Sequence, residues 1–424
     1  MGAAFGGASG GAFGGARRAV DVLLIGGGVA SVRCARTLRR RGFTGSILLV
    51  AEEPHLPYNR PPLSKELLRG EAPVELAAAE PEAWYARNRV ELLTAARVSE
   101  LHPGDHLALL ADGSSVLFGN CLLATGAAPR HPPVPGGEEA LVLRSLDQMA
   151  TLRGRASAAG VGAPAVVVGG GFIGVEAAAS LAALGLRPTV LELAGGLWGA
   201  TLGDEVSTWA SASLEAAGVD VRLRAGVTRL ERDGVWVDAE HLASALTLAG
   251  VGVLPRSQLA EAAGIDVGDG IIVDDRRQTS APGVFAAGDV ARAPLPLADG
   301  AAVRVEHWHA ARESGEAAAL GILGEPVPAA KPPWVYSEFA DQLLDVVGWA
   351  PDWDDTHVIG DPDARGDDDR ARFAIAYLRS GVATQLAIVN GALVIEEARA
   401  LIATRPDGAA LDALEVVWRR AGRG

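Results

Sequence analysis

Two stretches of this chain carry residues that could hold phosphate. In the first, Val22 to Ile25 runs into Gly26-Gly27-Gly28-Val29-Ala30-Ser31; in the second, Ala165 to Val168 runs into Gly169-Gly170-Gly171-Phe172-Ile173-Gly174. Glycines at such a turn let the backbone approach a pyrophosphate. The helix N-terminus that follows offers free N–H groups and the positive end of its dipole. An acid about 20 residues further on, closing a second strand, binds ribose hydroxyls. Both stretches have one: Ser46 to Ala51 ends at Glu52, and Pro188 to Leu191 ends at Glu192. A single glycine loop says little in a chain with 53 glycines. The full strand, glycine, helix and acid unit, found twice, points to two dinucleotides in one molecule, most simply FAD and a nicotinamide nucleotide. Ser31 stands where the third glycine of the first fingerprint usually sits, a place a small side chain tolerates.

The elements that must position these loops can be read coarsely. A β-α-β unit is predicted from Val20 to Glu52, followed by a Pro-rich loop and short helices to Glu71. A strand near Val116 to Ala124 leads through a stiff Pro129-to-Pro135 connection into the second unit, which extends to Pro255. Gly270 to Asp274 resumes strand character, Val284 to Asp289 is a short buried strand ending on an acid, and a helix spans Trp308 to Leu323. After a Pro326-to-Pro333 linker come short strands, an Asp-rich loop and a helical end. Met1 to Ala16 is nearly all Gly, Ala and Phe and reads as a disordered leader. Arg17-Arg18 only faintly imitates a twin-arginine signal, because the glycine loop makes the apolar run behind it a first strand.

Composition narrows the function classes. The 424 residues should form two or three domains, and a 49% hydrophobic chain has enough apolar side chains for sizeable cores. No run of 18 apolar residues predicts a membrane span. A net charge of −14 argues against nucleic acid and anionic membranes and asks any acidic partner to dock on a local basic patch. The two cysteines, Cys34 and Cys121, have no C-x-x-C or metal-ligand spacing. They read as buried small hydrophobes in a protein of the reducing cytoplasm. Only two of the 38 basic residues are lysines, Lys65 and Lys331, so a lysine at position 65 suggests a need for a compact ammonium. His307 and His309 do not share a helix face, and Arg365 and Arg372 fall where a calcium loop in Asp361 to Asp369 would need ligands, so no metal site is expected. The G-x-S-x-G match at Gly7 to Gly11 has no strand before it. The basic tail Arg419, Arg420 and Arg423 reads as a frayed helix end.

Pro57-Tyr58-Asn59-Arg60-Pro61-Pro62-Leu63-Ser64-Lys65 resembles the P-Y-x-R-P-P-L-S-K segment of FAD-dependent, NADH-using ferredoxin reductases of bacterial oxygenases and cytochromes P450. Leu123 to Gly126, Gly169 to Glu176, Thr279 to Val290 and Glu306-His307-Trp308 are similar to further elements of that family. The resemblance implies an α/β fold: two Rossmann-like nucleotide-binding domains of the glutathione-reductase type plus a C-terminal α+β domain. In this chain that gives a leader at 1–18, an FAD-binding domain split into 19–130 and 261–327, an NAD-binding domain at 131–260, and a C-terminal domain at 328–424.

Roles follow from the resemblance. Gly26, Gly28, Ala30 and Glu52 hold the ADP part of FAD; Arg60 and Lys65 lie along the flavin; Arg130 and Asp289 make further FAD contacts; Glu306 and Trp308 sit near the isoalloxazine. Gly169, Gly171, Gly174 and Glu192 bind NADH, and Phe172 is the aromatic on the nicotinamide side. Val98, Ala124, Ile173 and Gly252 complete the cofactor-binding set, and Lys65 with Glu176 is the ion pair beside the reacting flavin atom. Glu192 should repel a 2′-phosphate, and no arginine follows it in Leu193-Ala194-Gly195-Gly196, so NADH is expected over NADPH. With no cysteine in the Lys65 loop, electrons should leave directly from flavin, one at a time. The implied acceptor is an acidic [2Fe-2S] ferredoxin or rubredoxin-like carrier feeding a Rieske oxygenase or cytochrome P450. The chain is expected to act as a monomer or homodimer. Two alternatives share the cofactors: a reductase of a small molecule such as a quinone or monodehydroascorbate-like radical, and an apoptosis-inducing-factor-like NADH-responsive protein. Two departures from the family stand out. Arg256 replaces a usual Asn, and Phe339-Ala340 is expected to alter the surface near the flavin edge.

Overall fold

The computed structural model describes residues 16–366, 370–391 and 394–411. The Gly7-to-Gly11 match, all but the end of the expected leader and the Arg419-to-Arg423 tail lie outside them. The first strand begins earlier than the leader boundary suggests, at Arg17, because Arg17 and Arg18 already pair with Ser115 and Val116.

Fully apolar strands belong in the middle of parallel sheets covered on both faces. Val22 to Ile25 and Ile47 to Val50 are such runs, every residue buried. They sit side by side in a seven-stranded sheet ordered Val90–Leu93, Ile47–Val50, Arg17–Ile25, Ser115–Leu123, Leu107–Leu110, Val98–His102, with Val284–Ala286 returning to pair with Ser115–Leu123. The last pairing joins residues 122 and 285 and sews the two halves of this unit together. The helix Trp308–Leu323 packs on the helix Val29–Arg40 behind the sheet. Their crossing is close because Gly315 has no side chain: a Cβ there would lie 2.2 Å from the Ala30 carbonyl oxygen.

The second unit repeats the logic in a five-stranded parallel sheet ordered Asp220–Leu223, Arg187–Glu192, Pro164–Val168, Leu246–Ala249, Leu141–Val142. A three-stranded antiparallel sheet inserts at Val227–Glu231, Gly234–Val237 and Glu240–Ala243. Two short antiparallel segments, Ala127–Pro129 and Val253–Pro255, tie this unit to the first. The last part is a five-stranded antiparallel sheet from Trp334–Phe339 to Val382–Val389, backed by the helix Ile395–Ala403. Its strands are longer than the sequence reading suggests. Asp361 to Arg365 ends the eleven-residue strand Asp355–Arg365 instead of lying in a loop, since alternating side chains along an edge strand let acids face water.

Candidate functional site

A cavity of about 1540 Å³ reaches from the first glycine loop to the second and is walled by residues of all three parts of the chain. At its first end, Gly26 adopts φ +119°, and a Cβ would lie 2.1 Å from the Ala124 carbonyl oxygen. Gly28 faces open space with nothing within 4 Å, and the helix Val29–Arg40 has no side-chain cap at its start. Among the described residues no side chain caps the N–H groups of this first turn, which borders the cavity, the arrangement that binds a phosphate. Glu52 stands at the rim, with Arg256 Nη1 2.9 Å from its Oε2.

The Pro57-to-Lys65 segment folds into a clamp. Tyr58 donates from its hydroxyl to Glu53 at 2.6 Å, and Arg60 donates to the other Glu53 oxygen at 3.0 Å. Burial pushes the Tyr58 hydroxyl above its ordinary pKa. Arg60 also donates to the Arg144 carbonyl, while the Arg144 guanidinium pairs with Asp289. Trp308 is fixed on the opposite wall by donating its indole N–H to Asn59 Oδ1 at 3.0 Å. Behind Trp308 the rings of His309 and Trp334 stack at 3.7 Å, and burial lowers His309 to a pKa of about 4.

Pro61–Ser64 forms a short 3-10 turn that delivers Lys65 into the interior. Its ammonium lies 3.0 Å from Glu176 Oε2, with the side chains 5% and 4% exposed. The Ser64 and Ser337 hydroxyls also donate to Glu176, the latter at 2.8 Å, and the Tyr336 ring lies 5.2 Å from the Lys65 nitrogen. The charges are thus buried but fully partnered, as burial requires.

At the second loop, Gly169 takes φ +105°, and Gly174 leaves room that a Cβ 1.9 Å from the Gly169 oxygen would fill. Glu192 is fixed by accepting from Gly170 N at 2.6 Å and Ala194 N at 2.7 Å. Phe172 and Ile173 lie on the cavity wall, with Phe172 packed on Trp198 at 5.4 Å.

The match to known proteins is extensive. The family model described as pyridine nucleotide-disulphide oxidoreductase covers residues 20–315. The chain belongs to that family. It is 34% identical over 405 residues to the 5,5′-dehydrodivanillate O-demethylase ferredoxin reductase subunit of a Sphingobium species, covering 92% of this chain and 94% of the relative. It is 33% identical to the biphenyl dioxygenase system ferredoxin–NAD(+) reductase component of Paraburkholderia xenovorans, with 91% and 93% covered. Putidaredoxin reductase, in its covalent complex with putidaredoxin, superposes with a TM-score of 0.87 over 96% of this chain and 99% of that one, at 27% identity. The chain is an oxidoreductase of this family, with the family's cofactors FAD and NAD(H).

The walls fit both groups: open backbone at Gly28, two uncapped helix starts, and a buried Arg144 Nε without a hydrogen-bond partner among the described residues. No disulfide enters, because both Cys34 and Cys121 are free and buried, and burial holds their thiols well above the usual range.

The structure sorts the sequence-derived residues of this family member. Gly26, Gly28, Ala30, Glu52, Arg60, Lys65, Val98, Ala124, Gly171, Phe172, Ile173, Glu176, Gly252, Asp289, Glu306 and Trp308 all lie on the one cavity. Gly169, Gly174 and Glu192 shape the second turn from just behind it. Arg130 is turned to solvent, its Nε donating to the Val253 carbonyl at 3.1 Å. Arg144 is a further cation on the cavity wall, beside Arg60 and Lys65, and one that the sequence reading missed. It precedes the capping box Ser145 to Gln148, a pattern that announces a helix and says nothing of a site. Phe339 is 3% exposed and packs between Trp198 and Trp209. The expectation that it alters the docking surface is therefore corrected: the side chain belongs to the core.

Proposed function

We propose that this oxidoreductase takes a hydride from NADH and delivers electrons singly to an acidic [2Fe-2S] ferredoxin or rubredoxin-like carrier, which serves a Rieske oxygenase or a cytochrome P450. The observation that carries the reading is one thiol-free cavity that joins both glycine loops, with the buried Lys65–Glu176 pair between them. FAD bound there supplies hydride acceptance and one-electron release. The protein's part is placement and electrostatics. Gly26, Gly28 and Ala30 would hold its phosphates, with Arg144 and Asp289 alongside. Glu192 and the Gly169-to-Gly174 turn would hold NADH, and Phe172 would position the nicotinamide. Lys65, oriented by Glu176, puts a buried positive charge where negative charge develops.

Support for an acidic partner comes from the rim. Arg312 lies 4.6 Å over the Trp308 ring, and burial together with Arg33 and Arg36 lowers its pKa. Arg33 and Arg36 are paired with Glu316 and Glu80, so Arg312 is the cation there that would meet an acidic surface beside the aromatic wall of this chain of net charge −14. The reading needs no second copy of the chain and suits a cytoplasmic setting, with thiols free and buried. Anaerobic titration with NADH should bleach a flavin spectrum and raise a long-wavelength charge-transfer band. Cytochrome c reduction should then require added ferredoxin. Turnover of a quinone at full rate without ferredoxin would favour the small-molecule alternative instead.

A further inference from the structure

The absence of an arginine after Glu192 is true of the sequence and not of the space around it. The strand Asp220–Leu223 runs parallel to Arg187–Glu192, and the residue after it is Arg224. Arg224 has φ +54°, and its N–H bonds the Ala194 carbonyl at 2.9 Å, while Ala225 N bonds the Glu192 carbonyl at 2.9 Å. These two bonds pin the 224–225 turn on the loop that follows the acid. The guanidinium lies over Gly195: a Cβ built there would be 3.0 Å from one terminal nitrogen, 3.4 Å from Cζ and 3.6 Å from Nε. A glycine at 195 is what gives Arg224 this position. The side chain is exposed, and among the described residues it has no ion pair or side-chain hydrogen bond. Beside it Leu193 is 77% exposed, an apolar face next to a cation.

Glu192 is held in place by two backbone N–H groups, so its charge is fixed at the ribose position. A carboxylate there accepts ribose hydroxyls and repels a 2′-phosphate, whereas a nearby arginine accommodates that phosphate. A guanidinium does so by paired N–H donation, which a lysine could not imitate. We infer that Arg224 is a specificity-determining residue of the nicotinamide nucleotide site: a cation already placed for a 2′-phosphate, held in check by Glu192 alone. The preference for NADH is then shallow, one side chain deep. The inference rests on the reading that the second loop binds the adenosine half of NADH.

The test is isothermal titration of the FAD-loaded protein with ADP and with 2′,5′-ADP, fragments that differ in the 2′-phosphate. Wild-type protein should bind ADP more tightly. Glu192→Gln should tighten 2′,5′-ADP at least tenfold, and adding Arg224→Ala to it should lose most of that gain while ADP binding changes less than threefold from that of the Glu192→Gln protein. Should Glu192→Gln fail to fold, Arg224→Ala alone should weaken 2′,5′-ADP more than ADP. Equal 2′,5′-ADP binding with and without Arg224 overturns the inference. Failure of wild-type protein to bind ADP at all overturns the nucleotide reading of the second loop as well.

Discussion

Breaking the Lys65–Glu176 pair from its two ends should have unequal costs. The groups are 3.0 Å apart and at most 5% exposed. At an effective dielectric constant near 20 their attraction is about 5 kcal/mol, in line with the roughly 3–5 kcal/mol lost when one partner of a buried pair is removed. Lys65→Met leaves Glu176 with two hydroxyl donors, Ser64 and Ser337, so its cost belongs near the lower figure, about 3 kcal/mol. Glu176→Leu leaves the ammonium with only the Tyr336 ring face at 5.2 Å, an interaction of about 0.5–2 kcal/mol, so its cost belongs near the upper figure. The double variant removes both charges and should cost at least ~2 kcal/mol less than the sum of the singles. Urea unfolding at one FAD concentration, followed by tryptophan fluorescence, measures all three variants, with each variant's FAD affinity measured alongside so that ligand linkage is subtracted. Costs that add within about 0.5 kcal/mol, or a Lys65→Met variant weaker than Glu176→Leu, would refute the reasoning.

Other perturbations probe separate parts of the site. Gly315→Val should abolish FAD retention after gel filtration, since even a Cβ meets the Ala30 oxygen at 2.2 Å and the helix behind the first loop must move; normal flavin content would contradict this. Burial raises the Asp345 carboxyl to about 6, so its protonated form favours the fold and that contribution fades as pH rises from about 4 through 6. Asp345→Asn should therefore gain stability relative to wild type between pH 4 and pH 7, by roughly 2–3 kcal/mol, and a pH-independent difference in melting curves would count against it. Arg256→Gln breaks a half-exposed bridge to Glu52 and should alter stability by less than about 1 kcal/mol. A thiol reagent should label Cys34 and Cys121 only on unfolding, and labelling of the native protein at free-thiol rates would show that these side chains are not buried.

The two βα turns were legible because each is a local pattern: an apolar strand, glycines needing positive φ, and an acid at the next strand's end. The helix Trp308–Leu323 was legible from its span in the text as well. Lys65 stood out by its rarity among arginines. What escaped the sequence depends on segments distant in the chain. Arg144 and Arg130 are equally plausible cations in one dimension, and tertiary pairing decides between them: Arg130 is tied to the Gly252 and Val253 carbonyls, while Arg144 pairs with Asp289. Arg224 reaches Gly195 through strand pairing, which no count of residues after Glu192 reveals. Phe339 looked superficial beside Ala340, but its place on an inward-facing strand position buries it. Ser337 is an unremarkable serine until the C-terminal sheet brings it to a carboxylate 161 residues away.

That last contact also bears on how the molecule is made. Glu176 takes its partners from residues 64, 65 and 337, so its surroundings cannot close until the C-terminal sheet has been synthesised and docked. A nascent chain that has only just released its second glycine loop already holds both nucleotide turns, yet its carboxylate is still open to water and the aromatic wall of Trp334 and Tyr336 does not exist. The C-terminal quarter of the chain thus completes the surroundings of a carboxylate that the second glycine loop's helix presents.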